Sequence, residues 1–144
     1  MAKKEMDLRF AKFGTVSFTG VSQVNDFIDH LEQGKVMGTR CKVSGKRYFP
    51  PRAHCCASLS GDMEWFEVTG SGTLVSFSTL KYAPTGFKED LPYTIALLDY
   101  GDYRVFGRID ATIPLEALEV GMPLKTVAAK TANGQLTYVF KTSS

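Results

Sequence analysis

Two short segments, 41–44 and 55–58, constrain the fold of this chain more than any other feature of its sequence. Each carries a cysteine followed three residues later by a serine: Cys41 with Ser44, and Cys55 with Ser58. A zinc ribbon uses two C-x-x-C segments, because four thiolates from two tight turns complete a tetrahedron around one ion. The spacing therefore predicts a ribbon-like lobe in which a hydroxyl replaces the second sulfur of each turn.

The metal content of that lobe stays open at this stage. Neutral serine is a poor zinc ligand compared with thiolate, but Cys56 adds a sulfur and His54 a nitrogen. One interpretation is a ribbon without metal, held by packing. The second is a rearranged zinc site formed by Cys41, Cys55 and Cys56, with His54 as the fourth ligand. The third is redox chemistry at Cys55 and Cys56, which adjacent cysteines perform only with strained geometry.

Length and composition bound the class of protein. The chain has 144 residues, of which 22% are charged, as expected of a folded soluble protein with one ordinary domain or two very small ones. No apolar run approaches the roughly 20 residues that span a bilayer, and residues 1–7 lack the apolar core of a secretory signal. Three cysteines cannot all pair internally, which also favours a reducing compartment. We therefore expect a cytoplasmic protein without membrane contact.

Positive charge is concentrated around the cysteines. Residues 35–58 contain six bases and no acid, whereas acids outnumber bases from residue 61 onward. Such a segment can attract phosphate groups or an acidic partner. A solvated basic surface is an equally acceptable interpretation.

The order of predicted elements indicates three units. An N-terminal arm and a helix from Ser22 to Gln33, ended by Gly34, occupy residues 1–34, and the zinc-ribbon-like lobe, with degenerate ligands, occupies 35–62. Residues 63–144 contain five predicted barrel strands, with a short helix at 114–119 between the third and the fourth. This order is typical of an OB-fold barrel, so the predicted fold is mainly β with one N-terminal helix. Alternation assigns these side chains to the barrel interior: Val75, Phe77, Ile95, Leu97, Val105, Ile109, Leu118, Val127, Leu136 and Val139.

Several segments together resemble a known protein family. They are the helix before Gly34, the Arg40-Cys41 start, the Phe49-Pro50-Pro51-Arg52 run, the strand opened by Gly70-Ser71-Gly72, Pro92-Tyr93, and Leu118-Glu119-Val120-Gly121. The family consists of small prokaryotic proteins with an N-terminal helix, a rubredoxin-like zinc ribbon and a C-terminal OB-fold. The resemblance covers roughly residues 22–141. It departs at Ser44 and Ser58, where zinc-binding members have cysteine.

The resemblance implies a subunit that is not catalytic by itself. Family members partner thiolases and related acyl-CoA condensing enzymes, bind acyl-CoA or pass it between active sites, and some are required for a thiolase to be active. The branch that serves the benzoylsuccinyl-CoA thiolase of anaerobic toluene degradation is one candidate. We therefore expect an accessory subunit of a thiolase-type acyltransferase complex, with a coenzyme A thioester as ligand.

Four residues are candidate contacts for acyl-CoA or its phosphates. Arg47 and Arg52 flank the rigid Phe-Pro-Pro run, Lys46 precedes them, and Phe87 lies at the centre of a loop from residue 83 to 91. Arginine can bind phosphate in a bidentate fashion that lysine cannot. The alternatives are that the bases only brace the lobe and that the loop is an ordinary solvated one.

Two other functions are less consistent with the sequence. Catalysis by the chain alone has little support, because His30 and His54 are its only histidines and no nucleophile–base pair can be argued. An OB-fold that binds single-stranded nucleic acid would stack bases on aromatic side chains, but the barrel region carries more acid than base, the wrong sign for a phosphate backbone. The apolar arm and helix are expected to bind the partner enzyme through Phe10, Phe13, Phe18 and Phe27.

Overall fold

The structure, a computed structural model, describes residues 6–15 and 22–143. Within these ranges the chain forms one α-helix, a three-stranded sheet and a closed five-stranded barrel. No helix in them is long and apolar enough to cross a membrane. Phe18 lies outside the described residues.

Helix α1, Asp26–Glu32, is shorter than the sequence indicated. The Ser22 hydroxyl accepts a hydrogen bond from the Val24 N–H at 3.1 Å, and the Asn25 amide donates to the Ser22 carbonyl at 2.6 Å. Ser22 therefore shapes a turn before the helix, and Asn25 is the N-cap residue. The predicted end is confirmed: Gly34 follows the C-cap in the left-handed conformation, with φ of 81°. The helix buries Phe27, Ile28 and Leu31.

The ribbon lobe is built on a small antiparallel sheet. Strand β1, Met37–Cys41, lies between β2, Arg47–Tyr48, and β3, Met63–Glu67. Tyr48 pairs with Thr39, which confirms the predicted return of the chain across the lobe. Because all five residues of β3 pair with β1, the segment after Asp62 is attached to the ribbon sheet. The division of the chain near Asp62 stays a prediction.

The barrel confirms the predicted OB-fold order. Its strands are β4 Gly72–Leu80, β5 Tyr93–Asp99, β6 Arg104–Ile109, β7 Pro123–Lys130 and β8 Leu136–Thr142. They close in the order β4-β5-β6-β8-β7, and closure removes the exposed edges that so small a sheet would otherwise present. The helix predicted at 114–119 is only a 3₁₀ turn, Leu115–Ala117, because Pro114 and Leu118 on either side are extended.

The barrel interior differs from the sequence prediction on four strands, β4, β5, β7 and β8. Confirmed as buried are Val105, Ile109, Leu118 and Leu136. Phe77 is half-buried and packs against the same core. The interior is completed by residues the alternation missed: Leu74, Ala96, Leu98, Leu124 and Phe140.

The remaining predicted core residues lie on the opposite face of their strands. They are half-buried: Val75, Ile95, Leu97, Val127 and Val139. One cause is a β-bulge between Leu74 and Ser76, which shifts the pairing with β5 by one residue. The other cause is that β5 is apolar on both faces, so alternation alone cannot choose the buried one.

The N-terminal arm packs on the chain itself. Phe10 stacks on Phe27 at 6.2 Å between ring centroids, and Phe13 meets Phe27 edge-on at 5.7 Å. The Gly14 N–H donates to the Leu136 carbonyl at 2.8 Å, which ties the arm to the barrel. Phe27 is therefore buried inside the chain, which corrects its predicted contact with a partner enzyme, whereas Phe10 and Phe13 are half-buried and their contact with a partner stays a prediction.

Candidate functional site

The two cysteine turns of the ribbon have the same construction. In the first, the Gly45 N–H donates to the Cys41 carbonyl at 2.8 Å and the Ser44 N–H to the Cys41 sulfur at 3.3 Å. In the second, the Leu59 N–H donates to the Cys55 carbonyl at 2.9 Å and the Ser58 N–H to the Cys55 sulfur at 3.4 Å. Both turns end on a left-handed residue, with φ of 78° at Gly45 and 59° at Leu59. The backbone of a paired-turn ribbon is thus present in full.

Hydrogen bonds connect the two turns crosswise. The Cys41 sulfur is 3.2 Å from the Ser58 hydroxyl, and the Ser44 hydroxyl is 3.2 Å from the Cys55 sulfur. Cys41 and Cys55 are 0% and 1% exposed. The hydroxyl of Tyr48, from β2, lies 3.1 Å from the Cys55 sulfur. We call this group of five side chains the Cys–Ser cluster.

The cluster favours a thiolate at Cys55. Hydrogen bonds from Ser44, Ser58 and Tyr48 lower the pKa of the Cys55 thiol to about 5, from an ordinary value of 9.0. Hydrogen bonds from Ser44 and Ser58 also lower the pKa of Cys41. The pKa of Tyr48 is raised, because its hydroxyl is bonded to the sulfurs of Cys55 and Cys56.

The donor atoms of the cluster do not fit a structural zinc ion. Such sites take four ligands from cysteine and histidine, whereas the two turns offer two sulfurs and two neutral hydroxyls. Ligands at ordinary zinc distances would also hold sulfur and oxygen about 3.6 Å apart in a tetrahedron. The observed 3.2 Å is the shorter spacing of a hydrogen bond.

The rearranged zinc site predicted from the sequence is not assembled either. Among the residues that the structure describes, no group of three or more His, Cys, Asp or Glu side chains is placed to hold a metal ion. Cys56 is exposed and shares the Tyr48 hydroxyl with Cys55, at 3.3 Å from the Cys56 sulfur. His54 is exposed and lies beside Gly61. A zinc site formed by Cys41, Cys55, Cys56 and His54 stays a prediction.

The positive charge of the ribbon is partly neutralised by acids from elsewhere in the chain. Within the described ranges, three of its six bases form ion pairs: Arg40 with Glu64, Lys42 with Asp62 and Arg47 with Asp102. These three acids come after residue 58 in the sequence. The positive field expected from the acid-free segment 35–58 is therefore weaker in the folded protein. The other three bases of the ribbon are exposed and have no ion pair with any described residue: Lys35, Lys46 and Arg52.

Aromatic rings position the two candidate arginines. The Arg47 guanidinium lies 5.3 Å from the centre of the Phe66 ring, and that of Arg52 lies 5.0 Å from the Tyr48 ring. The Arg52 backbone is fixed as well, since its N–H donates to the Thr39 hydroxyl at 2.7 Å and its carbonyl accepts from that hydroxyl at 2.8 Å. Both contacts hold the guanidinium groups in place without filling their outer faces.

A second candidate region is a cleft of about 570 Å³ at the far end of the barrel. Phe87 lines it, together with Arg108, whose guanidinium lies 4.0 Å from the Tyr93 ring centre and 5.8 Å from that of Phe87. Arg108 also forms an ion pair with Asp90 at 3.1 Å. Arg108 is not among the residues that the sequence predicted for the site. In the sequence Arg108 is only one charge on an alternating strand, and its neighbours come from the preceding strand and from the loop before that strand.

The four candidate contact residues do not form one site. Arg47 pairs with Asp102, in the turn after β5, whereas Phe87 lies near Tyr93, where β5 begins. Seven residues of β5 span about 20 Å. Any single ligand that touches both regions must therefore be long.

Comparison with known proteins identifies both lobes. The family described as "ChsH2, rubredoxin-like zinc ribbon domain" matches residues 29–64, and "ChsH2, C-terminal OB-fold domain" matches residues 65–129. Among solved structures, the "Ltp2-ChsH2(DUF35) aldolase" has a TM-score of 0.71 and 22% identity, over 88% of this chain and 99% of that one. A DUF35-family protein of unknown function from Sulfolobus solfataricus has a TM-score of 0.54 and 20% identity, over 78% of this chain and 81% of that one.

Curated relatives agree in length as well as in sequence. A DUF35 domain-containing scaffold protein of Methanocaldococcus jannaschii is 30% identical over 113 residues, which are 74% of this chain and 79% of the relative. One from Pyrococcus furiosus is 27% identical over 109 residues, 75% of this chain and 79% of that relative. With a ribbon and an OB-fold in the same order, the chain belongs to the family of DUF35 domain-containing scaffold proteins.

Proposed function

We propose that this chain is a non-catalytic accessory subunit of a thiolase-like acyl-CoA enzyme, which it helps to assemble and to supply with acyl-CoA. The observation that carries the proposal is its alignment, over about three quarters of its length, with relatives named as scaffold proteins. The solved relative of the same fold is named together with Ltp2 as an aldolase. That name supports an assembly in which the chemistry belongs to a partner.

The spacing of the two candidate regions supports a coenzyme A thioester as the ligand. Coenzyme A carries its phosphates at one end and the acyl thioester at the other. Arg52 and Lys46 at the ribbon offer exposed positive charge for phosphates. The cleft beside Phe87 offers an apolar wall to an acyl chain at the other end of the barrel. A long ligand can reach both, or the partner can supply the surface between them.

Identification of the partner tests the proposal first. We would isolate the tagged chain from its native cells after nuclease treatment, and determine the partners and their stoichiometry by mass spectrometry and size-exclusion chromatography. A thiolase-fold enzyme in stoichiometric amount is the expected result. Isolation of the chain without any acyl-CoA enzyme, but with RNA or single-stranded DNA when nuclease is omitted, would contradict the proposal and favour the OB-fold as a nucleic-acid module.

Matched variants test the coenzyme A contact on the purified complex. Arg52→Gln removes a ring-supported guanidinium, and Lys35→Gln removes an exposed base that precedes β1, at the opposite end of that strand from Cys41. Loss of a charged hydrogen bond is expected to weaken acyl-CoA binding about tenfold for Arg52→Gln, and Lys35→Gln should bind as the wild type does. Equal effects in both variants would indicate a general charge effect and refute a specific contact at Arg52.

A further inference from the structure

We propose that the ribbon lobe of this chain folds without zinc and that the Cys–Ser cluster takes the structural place of the ion. This inference does not depend on the proposed function. It starts from the crosswise pattern: the cysteine of each turn is bonded to the serine of the other. A metal ion joins two turns by binding ligands from both. These two hydrogen bonds make the same connection directly.

Each sulfur of the cluster has enough donors to be satisfied without a metal. Cys55 is approached by the Ser44 and Tyr48 hydroxyls and by the backbone N–H groups of Ala57 and Ser58, at 3.1–3.4 Å. Cys41 is approached by the Ser44 N–H and the Ser58 hydroxyl. A buried polar group is costly only when its partners are missing. The serines have further partners: the Ser44 hydroxyl accepts from the Lys46 N–H and the Ser58 hydroxyl from the Ser60 N–H, both at 3.3 Å.

The charge of the cluster also supports a ribbon that folds without zinc. Four thiolates in one place repel one another and need a dication to neutralise them. Replacing two of them by neutral hydroxyls removes two negative charges from the centre of the lobe. What remains is two sulfurs, and the thiolate favoured at Cys55 accepts from two hydroxyls and two backbone N–H groups, so this arrangement does not need a dication.

The lobe also has packing that a free zinc ribbon lacks. Its aromatic residues contact the helix and the barrel. Between ring centroids, Trp65 lies 5.1 Å from His30, Phe66 lies 5.0 Å from Tyr103, and Phe49 lies 5.3 Å from Tyr138. Aromatic pairs contribute about 0.5–1.5 kcal/mol each beyond the area they bury. Metal supplies most of the folding energy only where a small domain has no such core.

Zinc content and zinc response test the inference on the full-length protein. The wild type, purified without chelator, should contain substoichiometric zinc by elemental analysis. Its melting temperature should not fall with a strong chelator or rise with added zinc, because a ligand that does not bind the folded state cannot stabilise it. Stoichiometric zinc whose removal lowers the melting temperature would overturn the inference.

Restoring the missing sulfurs provides the complementary test. The double variant Ser44→Cys/Ser58→Cys should bind about one zinc per chain and melt at a higher temperature with zinc than without it. Ser44→Cys/Ser60→Cys is the matched control, because it adds the same two thiols but places one outside the C-x-x-C spacing. Zinc binding by the wild type at the level of the Ser44→Cys/Ser58→Cys variant would refute the inference. The wild-type measurement decides the matter even if a variant does not fold.

Discussion

Replacing Gly38 by alanine should destabilise the ribbon lobe more than any comparable change near it. Gly38 is buried in β1, the central strand, and a Cβ there would lie 2.5 Å from the Tyr48 carbonyl oxygen and 2.7 Å from the Phe66 ring. The nearest atom is backbone, so β2 must move away from β1. Overpacking of this kind costs about 1–3 kcal/mol. The reduced freedom of the unfolded chain returns about 0.4–1 kcal/mol. Because the closest clash is with backbone, the cost lies near the upper end of its range, and we expect a net loss of about 2 kcal/mol.

Thermal and urea unfolding, followed by the fluorescence of Trp65, measure that loss. For a chain of this size, about 2 kcal/mol corresponds to a fall of roughly 4–8 °C in Tm. Gly61→Ala is the control, because a Cβ at Gly61 would come closest to the exposed His54 ring, at 3.1 Å, which can turn aside, and its nearest backbone atom would be the Ala53 oxygen at an ordinary 3.8 Å. A Gly38→Ala variant as stable as the wild type, or no less stable than Gly61→Ala, would refute this account of the sheet.

Three further predictions follow from the turns, the arm and the cluster. Leu59→Gly should raise the free energy of unfolding in urea by up to about 1 kcal/mol. Leu59 is 80% exposed, and the energy that a positive φ costs leucine exceeds the extra chain entropy that glycine loses on folding. A destabilised variant would contradict this. Phe13→Ala should cost about 2 kcal/mol and speed proteolysis of the arm, because the Phe13 ring packs on Tyr138; unchanged proteolysis would show that the arm is not held there. Since the pKa of Cys55 falls from 9.0 to about 5 on folding, stability should rise with pH across that window and be lost as pH falls through it. Ser44→Ala should flatten the rise, and an equal slope in both proteins would count against the thiolate.

The parts of the fold that sequence predicted well are those fixed by local spacing. The two cysteine turns follow from C-x-x-S, and the end of α1 follows from Gly34, whose φ few other residues adopt. The predicted start of α1 was wrong because the Ser22 hydroxyl accepts a hydrogen bond from the nearby backbone in a turn as readily as at a helix end. The buried face of β4 was wrong because the bulge near Val75 leaves no clear signal in the pattern.

The candidate site was less predictable because its contacts join distant residues. Asp102 neutralises Arg47 from a turn 55 positions later in the sequence, and no local pattern indicates that pair. Arg108 meets Phe87 only once the barrel has closed. The sequence shows that serines replace two zinc ligands of the ribbon. Their crosswise hydrogen bonds could not be predicted, because each joins two turns that meet only in the folded lobe.

Reconstituted thioester turnover tests the central claim most directly. The partner enzyme, this chain, and their stoichiometric mixture would each be assayed for acyl-CoA cleavage across a panel that includes benzoylsuccinyl-CoA. An accessory subunit predicts no turnover by the chain alone and a clear rise in kcat, or a fall in KM, when it joins its partner. Turnover by the chain alone, or a partner whose kinetics are the same with and without it, would contradict the account.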